Sequence, residues 1–121
     1  DGLAIDRWNL LHADEKPREC YVQQCLGSAE GPVIATTDYM RLVPEQIARW
    51  VPGRMLCLGT DGFGRSDDRA ALRRHFEVDA EHIAFATLAA LARQGSLDAK
   101  RIREARKSLH IDADAPDPAS S

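Results

Sequence analysis

The sequence predicts an α/β fold: a parallel strand–helix–strand unit followed by a helical C-terminal half. Three observations carry this. Met55-Leu56-Cys57-Leu58 is a short apolar run bounded by turn signals, and it opens into a glycine-rich loop and then Asp67-Asp68-Arg69-Ala70. Such a run suits a strand buried on both faces, as in parallel sheets. Val33-Ile34-Ala35-Thr36-Thr37, introduced by Gly31-Pro32, is rich in β-branched residues and reads as a second strand. From Asp67 onward the pattern is helical throughout.

Residues 1–31 form an irregular lead-in with short helices. Arg7-Trp8-Asn9-Leu10-Leu11-His12 can make one helical turn, with Trp8 and Leu11 at i, i+3 facing inward. Pro17 starts a second segment through Leu26, which Gly27 ends. Residues 32–111 form the domain proper. After the first strand, Asp38 can cap a helix whose stripe is Val43, Ile47, Trp50 and Val51, although Pro44 marks its first turn or bends it. Pro52-Gly53 stops that helix before the second strand, so the two strands should be parallel and their crossover right-handed. Asp67 is expected to cap a helix bearing Leu72 and Phe76. Asp79 caps a second helix, which Gly95 closes, and Asp98 caps a third with Ile102, Ala105 and Leu109 on one face. Residues 112–121, with two prolines and three aspartates, read as a flexible tail.

The composition narrows the function classes. With 121 residues, 44% hydrophobic and 29% charged, the chain reads as one soluble globular domain or a piece of one. A formal charge of −3 lacks the basic surface that nucleic acid or an anionic membrane requires. No apolar run approaches the roughly 20 residues of a membrane span. Cys20, Cys25 and Cys57 are odd in number with no C-x-x-C pair, which suits free thiols in a reducing cytoplasm, and Cys57 reads as a small buried hydrophobe.

The loop at residues 59–64 is the strongest candidate for binding. Its spacing, Gly59-x-x-Gly62-x-Gly64, matches neither dinucleotide nor P-loop fingerprints, and no lysine follows it. Asp61, Asp67 and Asp68 crowd the place an anion would take. A small nucleotide-binding or protein-interaction module using this loop is the alternative function. The structural reading is a tight turn in which glycines permit positive φ and close backbone approach. His12 lacks clustered ligands for a metal, and His75 and His82 lack visible converging partners, so all three read as structural or surface residues. Two strands alone do not make an independently stable sheet, and the absence of an initial Met adds to the expectation that upstream sequence supplies more strands.

Four stretches together resemble a known family. They are Arg7-Trp8-Asn9-Leu10-Leu11-His12, Thr37-Asp38-Tyr39-Met40, Leu58-Gly59-Thr60-Asp61-Gly62-Phe63-Gly64-Arg65-Ser66-Asp67 and Arg74-His75-Phe76-Glu77-Val78-Asp79. They resemble the C-terminal region of the homodimeric pyruvate dehydrogenase decarboxylase component, in the transketolase superfamily, from about Arg7 to Asp114. The resemblance implies a partial transketolase C-terminal-like domain. It also implies a parent enzyme that uses thiamine diphosphate and magnesium to decarboxylate pyruvate oxidatively and to acetylate a lipoyl group on the dihydrolipoyl acetyltransferase component. No catalytic, cofactor or metal residue carries over to this chain, and the isolated segment is expected to be inactive, with a structural, dimer-supporting role. The loop Asp61, Gly62, Phe63, Gly64, Arg65, Ser66 and Asp67 is expected at an interface, with Arg65 paired to a carboxylate.

Overall fold

Strands β1 (Val33–Thr36) and β2 (Met55–Leu58) pair in parallel, with Val33 opposite Met55 and Thr36 opposite Leu58. Thr37 N–H extends the ladder by donating to the Leu58 carbonyl at 3.0 Å. The computed structural model that shows this describes residues 1–62 and 67–120. Around the pair stand helices α1 (Gly2–Leu11), α2 (Tyr21–Leu26), α3 (Leu42–Glu45), α4 (Arg69–His75), α5 (Ala80–Arg93) and α6 (Ala99–Ser108), with a 3₁₀ turn at Ala48–Trp50. Helix α5 packs on both strands, α3 on β2, and α6 on α5.

The helical half follows its sequence signals closely. Asp68, Asp79 and Asp98 each accept the N–H three residues on, from Ala71, His82 and Arg101, at 2.8, 3.0 and 2.9 Å. Each carboxylate thereby satisfies a donor that the first helical turn leaves free. Two of these caps are where the sequence places them; the first lies one residue later than Asp67. The three helices also end alike. After α5, Gly95 (φ 84) takes the left-handed position, Gly95 N–H bonds Ala92 and Ser96 N–H bonds Leu91. The same paired bonds follow α4 and α6, but there Glu77 (φ 61) and His110 (φ 55) hold the left-handed conformation. Non-glycine residues adopt it at a cost.

The crossover departs from expectation. A single amphipathic helix over 39–51 does not form. One bond, from Glu45 to the Arg41 carbonyl, spans four residues, but those from Gln46 to Val43, Ile47 to Pro44, Trp50 to Ile47 and Val51 to Ala48 span three. Three residues per turn cannot keep a 3.6-periodic stripe on one side. Val51 is buried, but Val43 and Ile47 are exposed. Asp38 does not cap the helix either: the N-cap of α3 is Arg41, without a side-chain cap. Pro44 falls in the first turn, where its missing N–H is no loss.

The lead-in is more helical than its sequence suggests. Helix α1 runs ten residues, and Gly2 and Asp6 are its contacts with the crossover. Gly2 lies against the Trp50 ring, where a Cβ would come within 2.7 Å of ring carbons. Asp6 accepts from Trp50 Nε1 at 3.1 Å and from Arg49 at 2.7 Å. Leu11 therefore points outward, and Trp8 stacks on His12 instead, 4.1 Å between centroids, with the Arg18 guanidinium 3.6 Å from its ring. Asn9 clamps the following segment by exchanging two hydrogen bonds with the Arg18 backbone, at 2.9 and 2.8 Å.

The core is thin. Among the described residues, Cys20, Val51, Cys57, Val78 and Ala86 are its buried apolar residues. Strand β2 is buried on one face only: Cys57 is 7% exposed, whereas Leu56, on the opposite side of the pleat, is 39% exposed. All three cysteines are free thiols, and burial pushes the Cys57 thiol up from its ordinary value.

Candidate interface loop at the strand ends

The loop after β2 meets the loop after β1 at the C-terminal ends of the two parallel strands. Thr60 ties them together twice, its N–H donating to the Tyr39 carbonyl and its hydroxyl to the Asp38 carbonyl, each at 2.8 Å. The approach requires Gly59. A Cβ there would sit 2.7 Å from Arg41 N and from Tyr39 O, both backbone atoms that have nowhere to move. Gly62 (φ 124) occupies a conformation that side chains rarely adopt, and a Cβ there would strike the Pro118 carbonyl.

Asp61 anchors the loop electrostatically. Its Oδ2 accepts from Arg41 Nε at 2.6 Å and lies 3.4 Å from Arg41 N. This hydrogen bond to Asp61 is the main reason the Arg41 guanidinium is held above its ordinary pKa; partial burial opposes it, and the negative charges of Asp61, Glu45 and Asp117 add to it. Among the described residues Asp61 thus takes a cation that sequence reasoning missed. Arg41 lies 20 residues upstream, and no helical or strand spacing signals the pair. Asp67 accepts from the Asp68 N–H at 2.8 Å and does not cap α4. Phe63, Gly64, Arg65 and Ser66 lie outside the described residues, and so does the expected pairing of Arg65.

A second cluster sits beyond α4. Asp79 accepts from the His82 N–H at 3.0 Å, from His82 Nδ1 at 2.6 Å and from Arg74 at 3.2 Å, and Arg74 also donates to the His110 carbonyl. Burial pushes the Asp79 carboxyl up, but the His82 and Arg74 hydrogen bonds outweigh it and hold Asp79 below the usual carboxylate range. The sequence did carry a signal here: an N-cap aspartate with histidine at the third helical position puts both groups on one turn. His82 is therefore a structural partner of the cap. His12 is likewise engaged, its Nδ1 2.8 Å from the Trp8 carbonyl.

Among the described residues no three His, Cys, Asp or Glu side chains converge as a magnesium site requires. In the first turn of α4 the Asp68 carboxylate accepts the Ala71 N–H, placing a negative charge at the helix end where an anion would otherwise bind. No helix among the described residues is long and apolar enough to cross a membrane. What the chain does present is surface. It exposes 8751 Å², whereas a folded monomer of 13.4 kDa is expected to expose about 6,500 Å². Leu3, Leu10, Leu11 and Tyr21 in the lead-in contribute to the surplus, as do Tyr39, Met40, Leu42, Val43 and Ile47 in the crossover.

Comparison with known proteins gives this surface a context. Residues 3–79 match the transketolase-like TK C-terminal domain. The pyruvate dehydrogenase E1 component of Pseudomonas aeruginosa is 51% identical over 119 residues, which is 98% of this chain and 14% of that protein. The E1 component of Cupriavidus necator is 49% identical over 99% of the chain and 13% of its own length, and that of Escherichia coli 47% over 98% and 13%. The chain therefore spans about one seventh of the length of these relatives. A nucleotide-binding module built on the glycine loop is not favoured by these matches. The chain belongs to the transketolase C-terminal domain family.

Proposed function

We propose that this chain works as the C-terminal domain segment of a pyruvate dehydrogenase E1 component. The parent enzyme would be a cytoplasmic homodimer that oxidatively decarboxylates pyruvate with thiamine diphosphate and magnesium, then acetylates the lipoyl group of its dihydrolipoyl acetyltransferase partner. The carrying observation is identity of 47–51% to three such components over nearly the whole chain. The segment itself is structural. Its role is to pack against the rest of the dimer through the loop at residues 61–67 and the apolar residues beside it.

The accessible surface supports that role. Its surplus over a monomer of this mass is roughly 2,000 Å², more than the approximately 800 Å² that one partner contributes to a standard interface. The experiment is made on the full-length protein carrying this chain, assayed for pyruvate-dependent acetylation of a lipoyl domain and for dimer dissociation by sedimentation. The wild type is expected to turn over. Arg65→Ala is expected to weaken the dimer by about tenfold or more, the loss that accompanies a broken interfacial ion pair. No turnover by the wild type would remove the enzymatic reading. Unchanged dissociation and stability in Arg65→Ala would remove the loop's place in the interface.

A further inference from the structure

We propose that residues 112–120 are a strap that closes over the loop at residues 59–62 and holds it against the strand ends. This goes beyond the reading above, which concerns what the loop meets in the rest of the dimer; the strap belongs to this chain.

The strap leaves from a fixed hinge. At the end of α6, His110 takes the left-handed conformation, Ile111 N–H bonds the Arg106 carbonyl at 3.0 Å, and the Arg74 guanidinium holds the His110 carbonyl. A segment of this composition stays disordered unless something restrains it, and here its own side chains do so. Asp112 Oδ1 accepts from the Asp114 N–H at 3.0 Å, and Asp117 Oδ1 from the Ala119 N–H at 2.9 Å. Pro116 and Pro118 stiffen the segment further. Fewer open conformations lower the entropic cost of closing it.

The far end reaches the loop. The Pro118 carbonyl fills the space a Cβ of Gly62 would need, and Ala119 Cα lies 3.3 Å from the same point. Asp117, Pro118 and Ala119 line a cavity of about 70 Å³ together with Arg41, Gly59 and Asp61. Asp117 adds its negative charge to that of Asp61 around the Arg41 guanidinium. Nearer the hinge, Asp112, Ala115 and Pro116 line a cavity of about 370 Å³ with Arg74, Glu77 and His82. The strap thus lies over two hollows and makes its close contact at Gly62.

The test is hydrogen exchange on the full-length protein, comparing the wild type with a variant ending at Ile111 and with Asp117→Asn. In the truncated protein the amides of residues 59–62 should exchange about tenfold faster while those of α5 keep their rates. Asp117→Asn should produce a smaller acceleration at the same amides. Wild-type loop rates in both variants would overturn the proposal. If truncation also accelerates α5, Asp117→Asn decides: faster loop exchange alone supports the strap, and unchanged loop exchange refutes it. Dimer dissociation measured on the same samples is a separate readout, so the strap and the interface can fail independently.

Discussion

Glu77 is a carboxylate where the backbone calls for glycine. It holds φ 61 at the end of α4, with its own N–H on the Arg74 carbonyl at 3.2 Å and the Val78 N–H on the Arg73 carbonyl at 2.9 Å. A side chain in the left-handed region costs about 1–2 kcal/mol, while a glycine there costs about 0.5–1 kcal/mol in chain entropy. Glu77→Gly should therefore stabilise this helix end by about 0.5–1 kcal/mol. At tenfold per 1.4 kcal/mol, the Val78 amide should exchange about two- to fivefold more slowly. Glu77→Ala is the control, because it removes the carboxylate but keeps the Cβ that clashes. The comparison that matters is glycine against alanine, read by hydrogen exchange of the peptide containing Val78. If the glycine variant exchanges as fast as the alanine variant, the left-handed backbone stores no strain and the reasoning fails.

Two further substitutions probe the contacts that fix the site. Asp79→Ala removes the α5 cap and the partner of both His82 and Arg74, and should cost about 1–2 kcal/mol, seen as faster exchange at the start of α5. Because the Asp79 pKa is depressed in the folded state, its stabilisation is complete above the unfolded value of about 3.9. It is lost as pH falls through the folded value. Protection of α5, corrected for intrinsic exchange, should therefore decline below about pH 4 in the wild type, and an equal decline in Asp79→Ala would refute the assignment. Gly59→Ala places a methyl against two backbone atoms, should cost about 1–3 kcal/mol, and should release the Thr60 N–H from Tyr39. Unchanged protection of Thr60 would show that the two loops can part without loss.

What the sequence made legible was local. Asp79 and Asp98 as caps, Gly95 as a helix stop and each of the two strands depend on residues within a few positions of one another, whereas the parallel pairing followed from the crossover that joins the strands. The cap of α4 slipped by one residue because Asp67 and Asp68 offer the same carboxylate, and only the backbone decides which enters the turn. The Arg41–Asp61 anchor was not legible, since its partners join only when parallel strands bring their C-terminal ends together. Nor was the closure of Asp6 on Trp50, which spans 44 residues. Both are tertiary facts without a periodic trace.

The crossover shows how a correct apolar stripe can still point the wrong way. A 3.6-residue period puts Val43 and Ile47 on one apolar stripe, and the three-residue bonding turns them out, 47% and 45% exposed. Their apolar character then needs another explanation. Tyr39 and Met40 stand exposed just before them, at the strand ends where Thr60 and Asp61 fix the neighbouring loop. An apolar stretch beside a loop fixed from within is the arrangement an interface needs, because little ordering entropy is left to lose when a partner arrives. The residues that fail as a core stripe thus fit the contact surface proposed above, and the bonds of Asp61 and Thr60 fix Asp38, Tyr39 and Arg41 at its edge.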